Sequence, residues 1–112
     1  MKSISTHVLD ITRGRPAANL PIRIEKKEGD AFTPYNSGKT DADGRIKDLV
    51  PEGKLTTGTW RITFDTGVYF DAQGVEGFYP EATIVFMVRD AESHYHVPLL
   101  LSPFGYSTYR GS

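Results

Sequence analysis

Along Trp60-Arg61-Ile62-Thr63-Phe64 apolar and polar side chains alternate one by one. That period places one set on each face of a β-strand and predicts a strand half buried against a core. Ile22-Arg23-Ile24-Glu25 repeats the alternation after Pro21. Ala82 to Val88 is more uniformly apolar, which predicts a strand covered on both faces. Residues 4 to 11 and 95 to 101 supply two further strands. The second contains Pro98, which has no amide hydrogen for a ladder, so this stretch is expected at a sheet edge or with that position turned away from a partner. Ser102-Pro103-Phe104-Gly105 is a turn signal, and the Tyr- and Thr-rich segment from Tyr106 to Tyr109 completes a hairpin.

Thr66 to Gln73 departs from this period. Its spacing predicts about two turns of helix, with Asp65 or Thr66 able to cap the start and Gly74 closing the end. Eleven glycines and seven prolines cut the remainder into short pieces. Seven or eight strands separated by turns, one short helix over about residues 66–74 and no internal repeat together imply an all-β, two-sheet β-sandwich. At 112 residues, residues 1–112 are expected to form a single domain that buries roughly 65% of its extended surface.

Composition narrows the function classes. Thirteen basic side chains stand against fourteen acidic ones, for a net charge of −1, which points away from nucleic acid as a partner and from an acidic disordered tail. No apolar run approaches the ~20 residues that cross a bilayer, and the opening MKSISTHVLDITRGRP lacks the apolar centre of a signal peptide. A soluble, cytoplasmic chain without a membrane partner is the expectation. The absence of cysteine excludes a disulfide framework, a thiol nucleophile and a thiolate metal site.

Chemistry near neutral pH then rests on His7, His94 and His96. His94 and His96 lie two apart in a predicted strand and project from one face; with His7 they would suffice for a three-histidine zinc site. His-x-His is a weak signal, and a hydrogen-bonded surface pair is its commoner meaning, so no metal is expected. Thr40-Asp41-Ala42-Asp43-Gly44-Arg45 resembles part of a calcium loop but lacks the third early acidic ligand and the closing bidentate Glu. We read it as a tight turn in which Asp43-Gly44 takes up positive φ and Arg45 starts a strand in a defined direction. Tyr109-Arg110-Gly111-Ser112 gathers a guanidinium, a small residue, a hydroxyl and the α-carboxylate. Tyr106 and Tyr109 favour a docked end over a frayed one. On the residues alone, a plain β-sandwich and an enzyme both remain open.

Longer blocks change this. His7-Val8-Leu9-Asp10, Arg13-Gly14 with Pro16-Ala17, Asp43-Gly44-Arg45, Phe78-Tyr79-Pro80, His94 to Pro103 and the closing Tyr109-Arg110-Gly111-Ser112 together resemble the transthyretin-like 5-hydroxyisourate hydrolases. The resemblance runs from His7 to Ser112, and YRGS is its most specific mark. Several blocks also resemble the transthyretins, carriers of thyroid hormone, and speak for the fold alone. Transthyretins are expected to have Lys, Glu and Thr where this chain has His7, Arg45 and His96, and to lack YRGS.

The resemblance implies a transthyretin-like sandwich assembled as a homotetramer, a dimer of dimers with active sites at the dimer–dimer interface. It implies a small-molecule substrate, no cofactor, and hydrolytic opening of 5-hydroxyisourate to 2-oxo-4-hydroxy-4-carboxy-5-ureidoimidazoline in urate degradation. His7, His96 and Ser112 form the implied catalytic set. The implied substrate-binding set is His7, Arg45, His96, Tyr109, Arg110, Gly111 and Ser112. Histidine suits water activation and proton shuttling, and arginine suits substrate orientation and developing negative charge. His94 is left outside the catalytic set. Two alternatives are a carrier that retains small aromatic ligands without consuming them, and a zinc hydrolase using all three histidines.

Overall fold

The computed structural model describes residues 3–111. In chain order it contains β1 (Ile4–Asp10), β2 (Arg15–Pro16), β3 (Pro21–Glu28), β4 (Ala31–Lys39), β5 (Arg45–Val50), β6 (Gly58–Phe64), α1 (Thr66–Asp71), β7 (Ala82–Val88), β8 (Tyr95–Ser102) and β9 (Gly105–Thr108). One sheet runs β2-β1-β8-β9, with β5 also paired to β1; the other runs β4-β3-β6-β7. Between the sheets lies one cluster of buried side chains, including Ile4, Val8, Ile22, Ile24, Trp60, Ile62, Phe64, Leu99 and Leu101. The all-β, two-sheet sandwich with a short helix is thus the observed architecture, with nine strands among the described residues because the two-residue β2 adds to the regular set. Among the described residues no helix is long and apolar enough to cross a membrane.

Two local expectations are corrected, and of the two placements open to Pro98 the second, turned away from a ladder partner, is the one realised. β7 is not covered on both faces: it pairs with β6 alone at the sheet edge, and Val85 and Met87 are 57% and 48% exposed on its outer side. Its apolar run resembles that of a doubly buried strand although only one face meets the core. The strand containing Pro98 is not an edge, since β8 pairs in parallel with β1 and antiparallel with β9. The β9 ladder begins at the Leu99–Thr108 pair, and the next contact with the tail is the His96–Gly111 bridge, so Pro98 falls in the gap between them. Its lack of an amide hydrogen is accommodated there.

The helix is also shorter than expected, spanning Thr66–Asp71 with Ala72 as its C-cap. Asp65 makes no side-chain cap bond; its carboxylate accepts a hydrogen bond from Arg23 Nη1 at 3.0 Å. Thr66 Oγ1 donates to the Tyr79 carbonyl at 2.8 Å. Packing holds the short helix: buried Tyr69 donates its hydroxyl hydrogen to Asp10 Oδ2 at 2.8 Å, which ties the helix to the end of β1.

Candidate active site

In β1, Ile4, Thr6, Val8 and Asp10 are fully buried, which turns the alternate positions Ser5, His7 and Leu9 to the outer face of the sheet. β1 pairs in register with β8, Ser5 opposite His96, and with β5, His7 opposite Arg45. Three residues far apart in sequence therefore share one outer face. The turn before β5 sets the direction of Arg45. Asp41 Oδ1 accepts the amide hydrogens of Asp43 and Arg45, each at 2.9 Å, and Gly44 has φ +74°. The Gly44 carbonyl accepts from the Val8 amide at 2.7 Å, and a side chain at Gly44 would collide with the Val8 carbonyl. Glycine is required there by both conformation and space.

Ser5, Thr6, Arg45, Lys47, His94 and His96 line an open cleft of about 170 Å³ on this face. Ser5 Oγ lies 2.8 Å from His96 Nδ1 and 3.0 Å from His94 Nε2, while Ser3 Oγ lies 2.8 Å from His94 Nδ1. The two imidazoles are near parallel, with centroids 6.3 Å apart. His94 precedes β8, yet its ring stands beside that of His96.

Burial, followed by the positive charge of Arg45, holds His7 below the usual value of 6.5; the Asp43 backbone carbonyl and the Asp41 and Asp43 charges partly offset this. His96 is lowered first by burial, then by His94, Arg45 and His7. Both rings are therefore predominantly neutral at pH 7 and able to accept a proton.

The tail reaches the cleft through its backbone. The Gly111 amide donates to the His96 carbonyl at 2.8 Å. A Cβ at Gly111 would stand 2.6 Å from His96 Cδ2, so any side chain there would displace the imidazole. Tyr109 and Arg110 go elsewhere. They line a separate, mostly apolar cavity of about 350 Å³ together with Ile84, Phe86 and Tyr95. The Arg110 guanidinium sits 4.2 Å over the Tyr95 ring and donates to the His94 carbonyl at 3.3 Å. Ser112 lies outside the described residues.

The structure thus places His7, Arg45 and His96 on one outer face with the Gly111 backbone against His96; Arg45 and His96 line the cleft, and His7 shares the face without lining it. It does not bring the side chains of Tyr109 and Arg110 to the same cleft. Sequence reasoning missed Lys47 and Ser5. The available signal was their spacing, since Lys47 follows Arg45 by two positions along β5 and Ser5 precedes His7 by two along β1. Among the described residues no group of three or more His, Asp or Glu side chains is arranged to hold a metal ion.

A family model described as HIUase/Transthyretin family matches residues 4–111. The chain belongs to the HIUase/Transthyretin family. Within this family, the 5-hydroxyisourate hydrolase of Salmonella dublin is 46% identical over 109 residues, 97% of this chain and 80% of that protein. The solved 5-hydroxyisourate hydrolase of Klebsiella pneumoniae is 36% identical with a TM-score of 0.88, and the alignment covers 100% of both chains. Transthyretin from Sparus aurata superposes with a TM-score of 0.92 at 34% identity, covering 99% of this chain and 97% of its own. Backbone similarity alone therefore does not separate hydrolase from transthyretin within the HIUase/Transthyretin family; the side chains in the cleft must do so.

Proposed function

We propose that this chain is a 5-hydroxyisourate hydrolase that opens the six-membered ring of its substrate, the activity named for its Salmonella and Klebsiella relatives. The observation that carries the reading is the placement of two imidazoles, His7 and His96, with the Arg45 guanidinium on one outer sheet face.

Water is the nucleophile. As its oxygen bonds to the ring carbonyl carbon, one imidazole takes the proton it loses; when the carbon–nitrogen bond breaks, the departing nitrogen takes a proton from the imidazolium. Atoms and charge balance with no cofactor. Arg45, permanently protonated and planar, orients the ring carbonyls and stabilises the oxyanion. Lys47 adds positive charge in the same cleft. Gly111 lets the tail backbone lie against His96, and in this reading Ser112 reaches the substrate or a catalytic histidine. Tyr109 and Arg110 act by docking the tail beside Tyr95.

The cleft is open, and Leu9 and Leu100 are half-buried on the two strands that carry His7 and His96. The reading closes this face with further copies of the chain, as a homotetramer whose sites lie between dimers. Each copy acts as one domain, in the cytoplasm.

In the test, uricase generates 5-hydroxyisourate and its absorbance decay is followed with and without the protein. Accelerated decay is expected, and His7→Asn, His96→Asn and Arg45→Ala should each lower the rate at least ~10²-fold. Ligand retention without accelerated decay would favour a carrier, and loss of activity to strong chelators would favour zinc.

A further inference from the structure

His94 is the histidine that the proposed mechanism leaves unused, yet both of its ring nitrogens are engaged. Ser3 Oγ meets Nδ1, and Ser5 Oγ meets Nε2 and also His96 Nδ1. Both serines are buried. These contacts make a single file: Ser3, His94, Ser5, His96.

Counting hydrogens restricts what this file can hold. A neutral imidazole carries one N–H, and a serine hydroxyl has one hydrogen to give. If Ser5 donates to His96 Nδ1, it must accept from His94 Nε2–H, and Ser3 must donate to His94 Nδ1; His96 then carries its hydrogen on Nε2. If His96 Nδ1–H donates to Ser5, the file can reverse: Ser5 donates to His94 Nε2 and His94 Nδ1–H donates to Ser3, the arrangement in which the Ser5 hydrogen also finds a partner within the file. Of these two arrangements it is the second that leaves His96 Nε2 bare, and Nε2 is the nitrogen that Ser5 does not occupy. A base at His96 Nε2 requires hydrogen on Nδ1, which the second arrangement supplies.

We infer that Ser3, His94 and Ser5 are positioning residues that hold His96 in its Nδ1–H tautomer, leaving Nε2 as the proton acceptor in the cleft. This deepens the hydrolase reading and rests on it for its catalytic meaning. The same file shares the imidazolium formed on His96. The Nδ1 hydrogen can pass to Ser5 as the Ser5 hydrogen passes to His94 Nε2, which moves the positive charge to His94 and leaves His96 neutral with hydrogen on Nε2. No hydrogen is created or lost. The charged or titratable groups facing the file are His7 from β1, Arg45 and Lys47 from β5, and Arg110 from the tail. Among the described residues none of these groups is a carboxylate, and the group that meets His96 Nδ1 is the Ser5 hydroxyl.

The test uses ¹⁵N NMR of the imidazoles in the full-length protein at neutral pH, alongside the 5-hydroxyisourate assay. The expected wild-type spectrum shows His96 protonated at Nδ1 and bare at Nε2. Ser5→Ala and His94→Leu should each move His96 toward the Nε2–H form and lower kcat roughly tenfold, part of the ~10²- to 10⁴-fold that a general base supplies. KM should change by less than about twofold. The double variant should be no slower than Ser5→Ala, because both changes cut one file. His94→Gln, whose amide oxygen can take the Ser5 hydrogen, should restore tautomer and rate. An Nε2–H His96 in the wild type, a tautomer unmoved by both variants, or losses that multiply would overturn the inference and leave the hydrolase reading intact. A tautomer that shifts as expected in a protein that does not accelerate 5-hydroxyisourate decay would overturn the hydrolase reading instead.

Discussion

Arg45 acts on the site through charge as well as contact. Its guanidinium is the second-largest cause, after burial, of the lowered pKa of His7, and it also lowers that of His96. In an NMR titration both histidines should show midpoints below 6.5, and both midpoints should rise in Arg45→Met. Because the folded-state values lie below the unfolded value of 6.5, the unfolded chain binds more protons over that interval. These histidines therefore reduce stability as pH falls through 6.5, until they are protonated in the folded state as well. His7, Arg45 and His96 were legible in the sequence because their chemistry is distinctive and their blocks resemble a family. Ser5 and Lys47 were not, since a serine and a lysine on short strands are ordinary surface residues until a register places them beside an imidazole.

Among the elements, α1 depends on tertiary packing. At six residues it is too short to persist alone, and its N-terminal Asp65 is engaged by Arg23. The buried Tyr69–Asp10 hydrogen bond supplies a tether instead. Tyr69→Phe leaves Asp10 Oδ2 without this donor and should destabilise the fold by about 1–3 kcal/mol, read as a lower urea midpoint at unchanged slope. Period-two alternation made most strands legible, because the side chains of a strand record which face is buried. Alternation does not record neighbours. β7 and β8 show the gap: an apolar run proved to be an edge strand, and a proline-containing strand proved to be interior.

For the whole molecule, the parallel pairing of β1 with β8 and the antiparallel pairing of β1 with β5 gather His7, Arg45 and His96 on one outer face. One chain leaves that face open as a shallow cleft. Light scattering coupled to size exclusion should give a mass of about 50 kDa, four chains of 12.5 kDa. A mass of one chain with full activity would remove the shared interface from the proposed mechanism.

The sequence by itself determined the fold class, most of the strand segments, with Ala31–Lys39 the main one it did not mark, and the chemical identity of the histidine and arginine candidates, because side-chain polarity and ionisation are properties of residues and their local spacing. Tertiary structure alone decided which candidates meet. Strand order and register bring residues 7, 45 and 96 to one face, and they turn Arg110 onto Tyr95 while the Gly111 backbone is laid against His96. Such pairings depend on backbone hydrogen bonds between segments distant in the chain, and no local pattern of side chains encodes them.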